Sequence, residues 1–324
     1  MSPAMKILFA PLLGIALALA GCDSSPDSSA ANSAGHSAPT ATTGQANQEV
    51  LDQRPFDNRD DFENARRGLI AQDPDIVIDH LEGGEVWNMP AYDFIDKDGE
   101  NAPSSVNPSL WRQAALNNIH GLFKVTDGLY QIRGYDLANM SIIEGDTGWI
   151  LVDPLTARET ASKAFLFARE HLGKKPVRAI LFTHSHIDHF GGVQGILQHL
   201  SDEEKANLRV IAPAGFEEEA TSENIIAGPA MTRRAMFMYG KRLERNERGH
   251  VGTGLGKGPA FGTFGFAPAT DLISETGTEL AVDGVSMEFQ IVSGSEAPAE
   301  FTFYLPEQKA FCGAELVSRN MHNI

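Results

Sequence analysis

Four residues able to hold a metal fall within six positions of one stretch, "LFTHSHIDHFGG" at 181–192: His184, His186, Asp188 and His189. Imidazole suits zinc, and a carboxylate adds a hard, charged ligand. An apolar, β-type run (177–182) leads into them and a helical run (193–200) follows. Two further acids share that strand-exit placement. Glu296 lies just past "MEFQIVSG", and Glu315 lies at the end of "KAFCGAE". Open α/β structures gather binding residues at strand carboxyl ends, so the three points can converge on one edge. Spacing alone does not prove that they do.

The elements that must position these residues follow from pattern. Residues 61–71 read as a helix with a surface face, and "NPSLWRQAALNN" (107–118) starts as one, with Asn107 as N-cap and Pro108 in the first turn. Residues 128–134, 139–145 and 148–154 are three short strands punctuated by Gly and Asp. A helix over 157–171 places Ala161, Ala164, Phe165 and Ala168 on one face, and Gly173 closes it. After the metal stretch come a strand at 208–212 and helices over 216–227 and 230–243. Residues 248–265 hold seven glycines, yet no GxxxxGK[ST] or GxGxxG opens a helix there, so a loop beside the site is favoured over a phosphate cradle. Asp283-Gly284 between two alternating runs signals a hairpin, and "EFTFYLP" and "KAFCGAEL" are the last strands. Alternating strands and helices argue for an α/β layer structure.

The 324 residues carry a net charge of −17, which excludes a nucleic-acid partner held by Lys and Arg. Acidity does not forbid an anionic substrate, because divalent cations reverse the local field. At the N-terminus, Lys6 precedes an apolar run (7–20) too short to span a bilayer. It ends in "LAGC", which resembles a bacterial lipobox. That resemblance implies a signal peptide over 1–22, lipid on Cys22 and a periplasmic, membrane-anchored protein, with Asp23 favouring the inner membrane. Residues 23–48 are Ser-, Ala-, Thr- and Gly-rich and read as a disordered tether. Residues 49–121 then form an N-terminal arm that packs on a main domain over 122–324. Cys312, the other cysteine, reads as a buried structural thiol.

"THSHIDHFGG" matches the HxHxDH motif of the metallo-β-lactamase superfamily, whose fold is an αββα sandwich. "GWILVDP" resembles its earlier motif and makes Asp153 a support for the metal loop, not a ligand. "SGSEAPAEF", "CGAEL", "MHNI", "HGLFKVTDGLYQIRGYDLANM" and "SENIIAGPAMTRRAMFMYG" look like the alkyl sulfatases of that superfamily, the dodecyl-sulfate-degrading type, over about 54–324. The resemblance implies two zinc ions. His184, His186 and Glu296 would bind one, Asp188 and His189 the second, and Glu315 would bridge them. Asp188 and Glu315 would then act with a metal-activated water on a linear alkyl sulfate ester. Arg233 or Arg234 could pair with the sulfate, and Asn224 and Tyr239 could line the pocket. Attack at carbon and attack at sulfur both stay open.

Family members continue well beyond a segment like "MHNI". The resemblance therefore implies a sandwich incomplete at its C-terminal end, a second zinc short of one histidine ligand, no dimerisation region, and doubtful activity for the chain alone. Two readings compete with the sulfatase. One is another hydrolase of the superfamily, a lactamase or thioesterase. The other is an inactive, lipid-anchored metal-binding remnant.

Overall fold

The structure is a computed structural model and describes residues 37–240 and 242–318. The signal segment, Cys22 and the "MHNI" segment lie outside the described residues.

Fourteen strands can be placed among the described residues: β1 (Leu69–Ala71), β2 (Val77–Asp79), β3 (Glu85–Asn88), β4 (Gly121–Thr126), β5 (Leu129–Arg133), β6 (Met140–Glu144), β7 (Trp149–Val152), β8 (Val177–Leu181), β9 (Arg209–Pro213), β10 (Asp271–Ile273), β11 (Thr278–Val282), β12 (Val285–Ile291), β13 (Phe301–Leu305) and β14 (Ala310–Cys312). An eight-stranded sheet has the order β1-β4-β5-β6-β7-β8-β9-β10. It is antiparallel up to β7 and parallel from β7 to β10. All four residues of β7 are buried, as expected of a strand covered on both faces. Strands β11 to β14 form an antiparallel sheet of four. Asp283 and Gly284, both at positive φ, make the tight turn that pairs Val282 with Val285.

The two sheets bury one core between them. Ile143, Ile150, Val152, Leu181 and Ile211 of the large sheet meet Met287, Phe289, Phe301 and Phe303 of the small one. Truncating one such phenylalanine costs about 3–5 kcal/mol. The helix Arg158–Leu172 covers the opposite face of the large sheet with Ala161, Ala164, Phe165 and Ala168. Helix, sheet and sheet are thus three layers of the expected sandwich. The arm before β4 has its own cluster around Phe62, Tyr92 and Trp111, and Val251 of the glycine-rich loop packs into it.

Three local expectations change. The tether does not run to residue 48, since Ala41–Gln53 is a helix whose N-cap Thr40 accepts from Thr43 N. The helix expected over 61–71 is Asp60–Arg66, and the chain then turns at Gly68 and becomes β1. A Cβ at Gly68 would lie 2.1 Å from Lys124 O, so close pairing with β4 overrides the helical pattern. The two helices after β9 are shorter and joined by a π-helical turn: Phe216–Thr221, Ser222–Ile226 and Gly228–Met238.

Candidate metal centre

The strands deliver their acids and imidazoles to one edge. Past β8, His184 pairs with Glu300, the chain bends at Ser185, and His186 caps the short helix Ile187–Phe190, which carries Asp188 and His189. Gly191 and Gly192 let this helix press onto the segment after β7, because a Cβ at either would lie 2.4 Å from Thr156 O or 2.2 Å from Pro154 O. Glu296 sits in the turn between β12 and β13, and Glu315 follows β14. An isolated antiparallel bridge, His184 to Glu300, ties the two sheets together at this edge.

The result is two donor groups sharing one carboxylate. His184, His186, Glu296 and Glu315 present ligand atoms that all lie within 4.8 Å of one another, and so do Asp188, His189 and Glu315. Glu315 Oε2 is 3.3 Å from both His184 Nε2 and His189 Nε2. Glu296 Oε2 is 2.8 Å from His186 Nδ1 and 3.6 Å from His184 Nε2. His189 Nε2 is 3.5 Å from Asp188 Oδ2. Every proposed ligand converges, and the shared position falls to Glu315.

Asp153 settles the tautomers. It sits at φ 55° just after β7, and its Oδ1 accepts from Thr183 N at 2.8 Å. Its Oδ2 accepts the Thr183 hydroxyl and the His189 Nδ1–H, both at 2.8 Å. Thr183 Oγ1 has given away its only proton, so at 2.9 Å it must accept from His184 Nδ1–H. Both imidazoles therefore turn Nε2 toward the carboxylates, where a divalent cation could take the place of the proton that His189 holds there in the metal-free chain. His184 Nε2 is buried and makes no hydrogen bond. A buried lone pair aimed into a cluster of carboxylates is a donor set that fits a divalent cation, and the outer carboxylate is the usual way such histidines are held. Imidazole with carboxylate fits zinc among other metals.

Electrostatics agree. Burial alone would lower the His186 imidazole, but the hydrogen bond and charge of Glu296, with Asp188 and Glu223 nearby, hold it up at about 9. Burial would likewise lower His189, yet Asp188 and Asp153 keep it well above the usual imidazole range. Burial would raise the Glu315 carboxyl, but His184 and His189 hold it well below the usual carboxylate range. The converging carboxylates demand positive charge at this spot, which protons on imidazole or metal ions can supply.

A cavity of about 380 Å³ opens onto this floor. His186, Asp188, Glu296 and Glu315 line its base, while Met231, Met238, Leu255, Phe261 and Phe264 line its walls. Asn224, Tyr239 and Arg234 line it too, whereas Arg233, one residue earlier, does not, because the helix turns it away. Asn224 donates to Ala220 O at 2.8 Å. The Tyr239 hydroxyl is raised by burial and by Asp188, Glu315 and Glu296, and so keeps its proton. The glycine-rich loop forms a wall of this cavity. A second, open cleft of about 650 Å³ reaches Asp153, Asp188, His189 and Glu315 from the side of Arg133 and Asn139.

Sequence reasoning missed four residues. Thr183 relays Asp153 to His184. Glu223 Oε1 lies 3.6 Å from His186 Nε2. Asp136 is buried and accepts from Leu137 N, Thr156 N and Oγ1, Thr160 Oγ1 and Ala260 N, which pins three cavity-lining residues, Leu137, Thr156 and Ala260. Glu300 is fully buried beside the Glu296 turn. Asp136 and Glu300 stand inside "GYDLAN" and "SGSEAPAEF", but a linear pattern does not distinguish a buried acid from a solvated one.

Comparison with known proteins agrees with this geometry. Residues 133–277 match the family model for the metallo-β-lactamase superfamily. A sec-alkylsulfatase of Pseudomonas sp., described as stereoselective and inverting, superposes with a TM-score of 0.78 at 46% identity over 84% of this chain and 42% of that one. The chain belongs to the metallo-β-lactamase superfamily. Within it, the likeness is to alkylsulfatases. A linear primary-alkylsulfatase of Pseudomonas sp. is 46% identical over 284 residues, or 88% of this chain and 42% of that protein. An alkyl/aryl-sulfatase of Saccharomyces cerevisiae is 45% identical over 283 residues, 87% of this chain and 43% of that one. The chain spans about two fifths of the length of these relatives.

Proposed function

We propose that this chain carries the metal centre of an alkyl sulfate ester hydrolase, with zinc as the metal and two ions per centre. One observation carries the reading: His186, Asp188, Glu296 and Glu315, donors drawn from both groups, line the base of a cavity whose walls are Met231, Met238, Phe261 and Phe264. An amphiphile with a sulfate head and an alkyl tail matches that division. When bound, a metal pair supplies Lewis acidity and lowers the pKa of water toward about 7. The chain's own residues do the rest. Asp153 and Thr183 hold the His184 and His189 protons away from the cavity. Arg234 brings a guanidinium to the wall, suited to a tetrahedral oxyanion. Protonated Tyr239 donates a hydrogen bond to the head group, and the apolar walls exclude water around the tail.

The relative described as inverting points to attack at carbon, since inversion of a stereocentre requires the C–O bond to break. Sulfate then departs with the bonding electron pair and needs no strong acid. Hydrolysis of a secondary alkyl sulfate in 18O-water tests this, since the label goes to the alcohol for C–O cleavage and to sulfate for S–O cleavage. The function itself is tested with the zinc-loaded chain offered dodecyl sulfate, a β-lactam and a thioester. Whatever turnover the chain shows is expected with the sulfate ester, and preference for the lactam or thioester would replace the reading. Folded protein with no bound zinc would remove the metal assignment.

We also propose lipid attachment at Cys22 and anchorage at a periplasmic membrane face, supported by the lipobox-like "LAGC". Palmitate labelling that survives Cys22→Ser would disprove it.

A further inference from the structure

We propose that Glu300 is a positioning residue for the four-donor group, holding Glu296 in place through the backbone that carries it. The proposal rests on the metal-centre reading above. Glu300 is fully buried. Its Oε2 accepts from Ser295 Oγ at 3.0 Å, Glu296 N at 3.1 Å and Ala297 N at 3.2 Å. Two of these donors are the amides on either side of the Glu296 side chain's own Cα and carbonyl, so the turn is gathered onto one carboxylate oxygen. Adjacent amides converging this way form an anion-binding concavity, here filled from within the chain. Val292 N donating to Glu300 O at 3.1 Å and Gly294 N donating to Ala297 O at 2.8 Å close the rest of the turn.

The same residue fixes the other half of the group. Glu300 bridges His184 across the two sheets, and Phe301 N donates to Thr183 O at 3.0 Å. Directly opposed residues of an antiparallel bridge project to one face, so the Glu300 carboxylate lies on the His184 side. Backbone pairing sets His184, and the carboxylate sets Glu296. The distance between a ligand from the large sheet and a ligand from the small one is thereby decided at a single position. No Lys or Arg pairs with Glu300 among the described residues, and its Oε1 makes no hydrogen bond. A buried carboxylate is costly, and hydrogen bonds to the Glu296 turn are what offset it here.

The test uses the full chain stripped of metal and titrated with Co²⁺, whose visible absorption reports the ligands, followed by zinc competition. Glu300→Ala should weaken the tighter binding step about 10- to 100-fold, the range for losing a partner that orients a ligand. It should also change that step's absorption band and leave the weaker step within a few-fold. Glu300→Gln should recover most of the affinity. Its amide oxygen can take the three donors, and its NH2 falls where Oε1 makes no bond. Ser295→Ala removes one donor and should shift the same step by a smaller factor. A merely structural acid would lower the unfolding temperature of the metal-free chain without separating the two steps.

Native affinity and spectrum in Glu300→Ala overturn the proposal, as does a Gln variant no better than Ala or equal weakening of both steps. If Glu300→Ala does not fold, the Ser295→Ala titration decides, and unchanged first-step affinity there overturns it. A wild-type chain that binds no Co²⁺ would instead remove the metal centre itself. The two failures are thus distinguishable.

Discussion

The two donor groups share Glu315 but are built differently. The four-donor group draws on both sheets: His184 and His186 leave β8, Glu296 hangs between β12 and β13, and Glu315 follows β14. Its geometry is set by how the sheets pack across Phe289, Phe301 and Phe303. In the three-donor group, Asp188 and His189 come from one short helix pressed onto the segment after β7, and only Glu315 crosses from the other sheet. Three protein donors are the number that leaves a position for water or substrate. One group is therefore a product of the core and the other of a single loop. On the proposed two-ion reading, two unequal binding steps are expected, the tighter at the four-donor group.

The largest effect belongs to the shared residue. Glu315→Gln removes a charged donor from both groups. Both steps should weaken by about 100-fold or more, beyond the 10- to 100-fold that orienting partners are worth. Zinc per chain after dialysis measures it. Loss of only one step would mean that Glu315 does not bridge.

Asp153→Asn comes next and separates the groups. The amide oxygen can still take Thr183 N, but the NH2 can accept neither the His189 Nδ1–H nor the Thr183 hydroxyl. His189 is then free to adopt the tautomer that turns a proton, not a lone pair, toward Glu315. The three-donor step should weaken about 10- to 100-fold. The four-donor step, reached only through Thr183, should change less. Calorimetric titration with zinc resolves the two. Equal losses would show that the Thr183 relay carries the change to His184 as fully as the direct bond carries it to His189.

The same contrast explains what was legible in the sequence. His184, His186, Asp188 and His189 are legible because their spacing is local, and the hairpin at Asp283-Gly284 because its turn chemistry is. Glu296 and Glu315 needed the likeness to a family, since nothing in one strand says which edge it shares with another. β1 was hidden inside a helical pattern because its pairing with β4 lies some fifty residues away. Glu300, Asp136 and Thr183 escaped for a different reason. Their roles lie in hydrogen bonds made after burial, and burial of an acid runs against every local preference.

The pH dependence sharpens the comparison further. His186 in the metal-free chain is held at about 9, so at pH 7 it carries a proton that must leave before it can ligate. Affinity of the four-donor step should rise about tenfold per pH unit and level off near pH 9. Folding without metal runs the opposite way. A raised imidazole gives stability that is fully present below its unfolded value and fades as pH climbs through about 9. The loss is on the order of 3 kcal/mol, at ~1.4 kcal/mol per unit. Chemical denaturation of the metal-free chain at pH 6 and pH 9.5 reads it. Metal affinity independent of pH would place His186 outside the group.

The smallest effect tests the cavity above the groups. Arg233 and Arg234 are neighbours in sequence, but a helix rotates successive residues by about 100°, and only Arg234 reaches the cavity wall. Arg234→Ala should weaken binding of dodecyl sulfonate, which has the charged head but no ester to cleave, by about tenfold, near the lower limit for a hydrogen bond to a charged group. Arg233→Ala should stay within about twofold, as expected for an exposed surface charge. Zinc affinity should not move in either variant, because neither side chain belongs to a donor group. The reverse order of effects would mean that the helix Gly228–Met238 presents another face to the site. That outcome would redraw the substrate cavity and leave both metal groups standing.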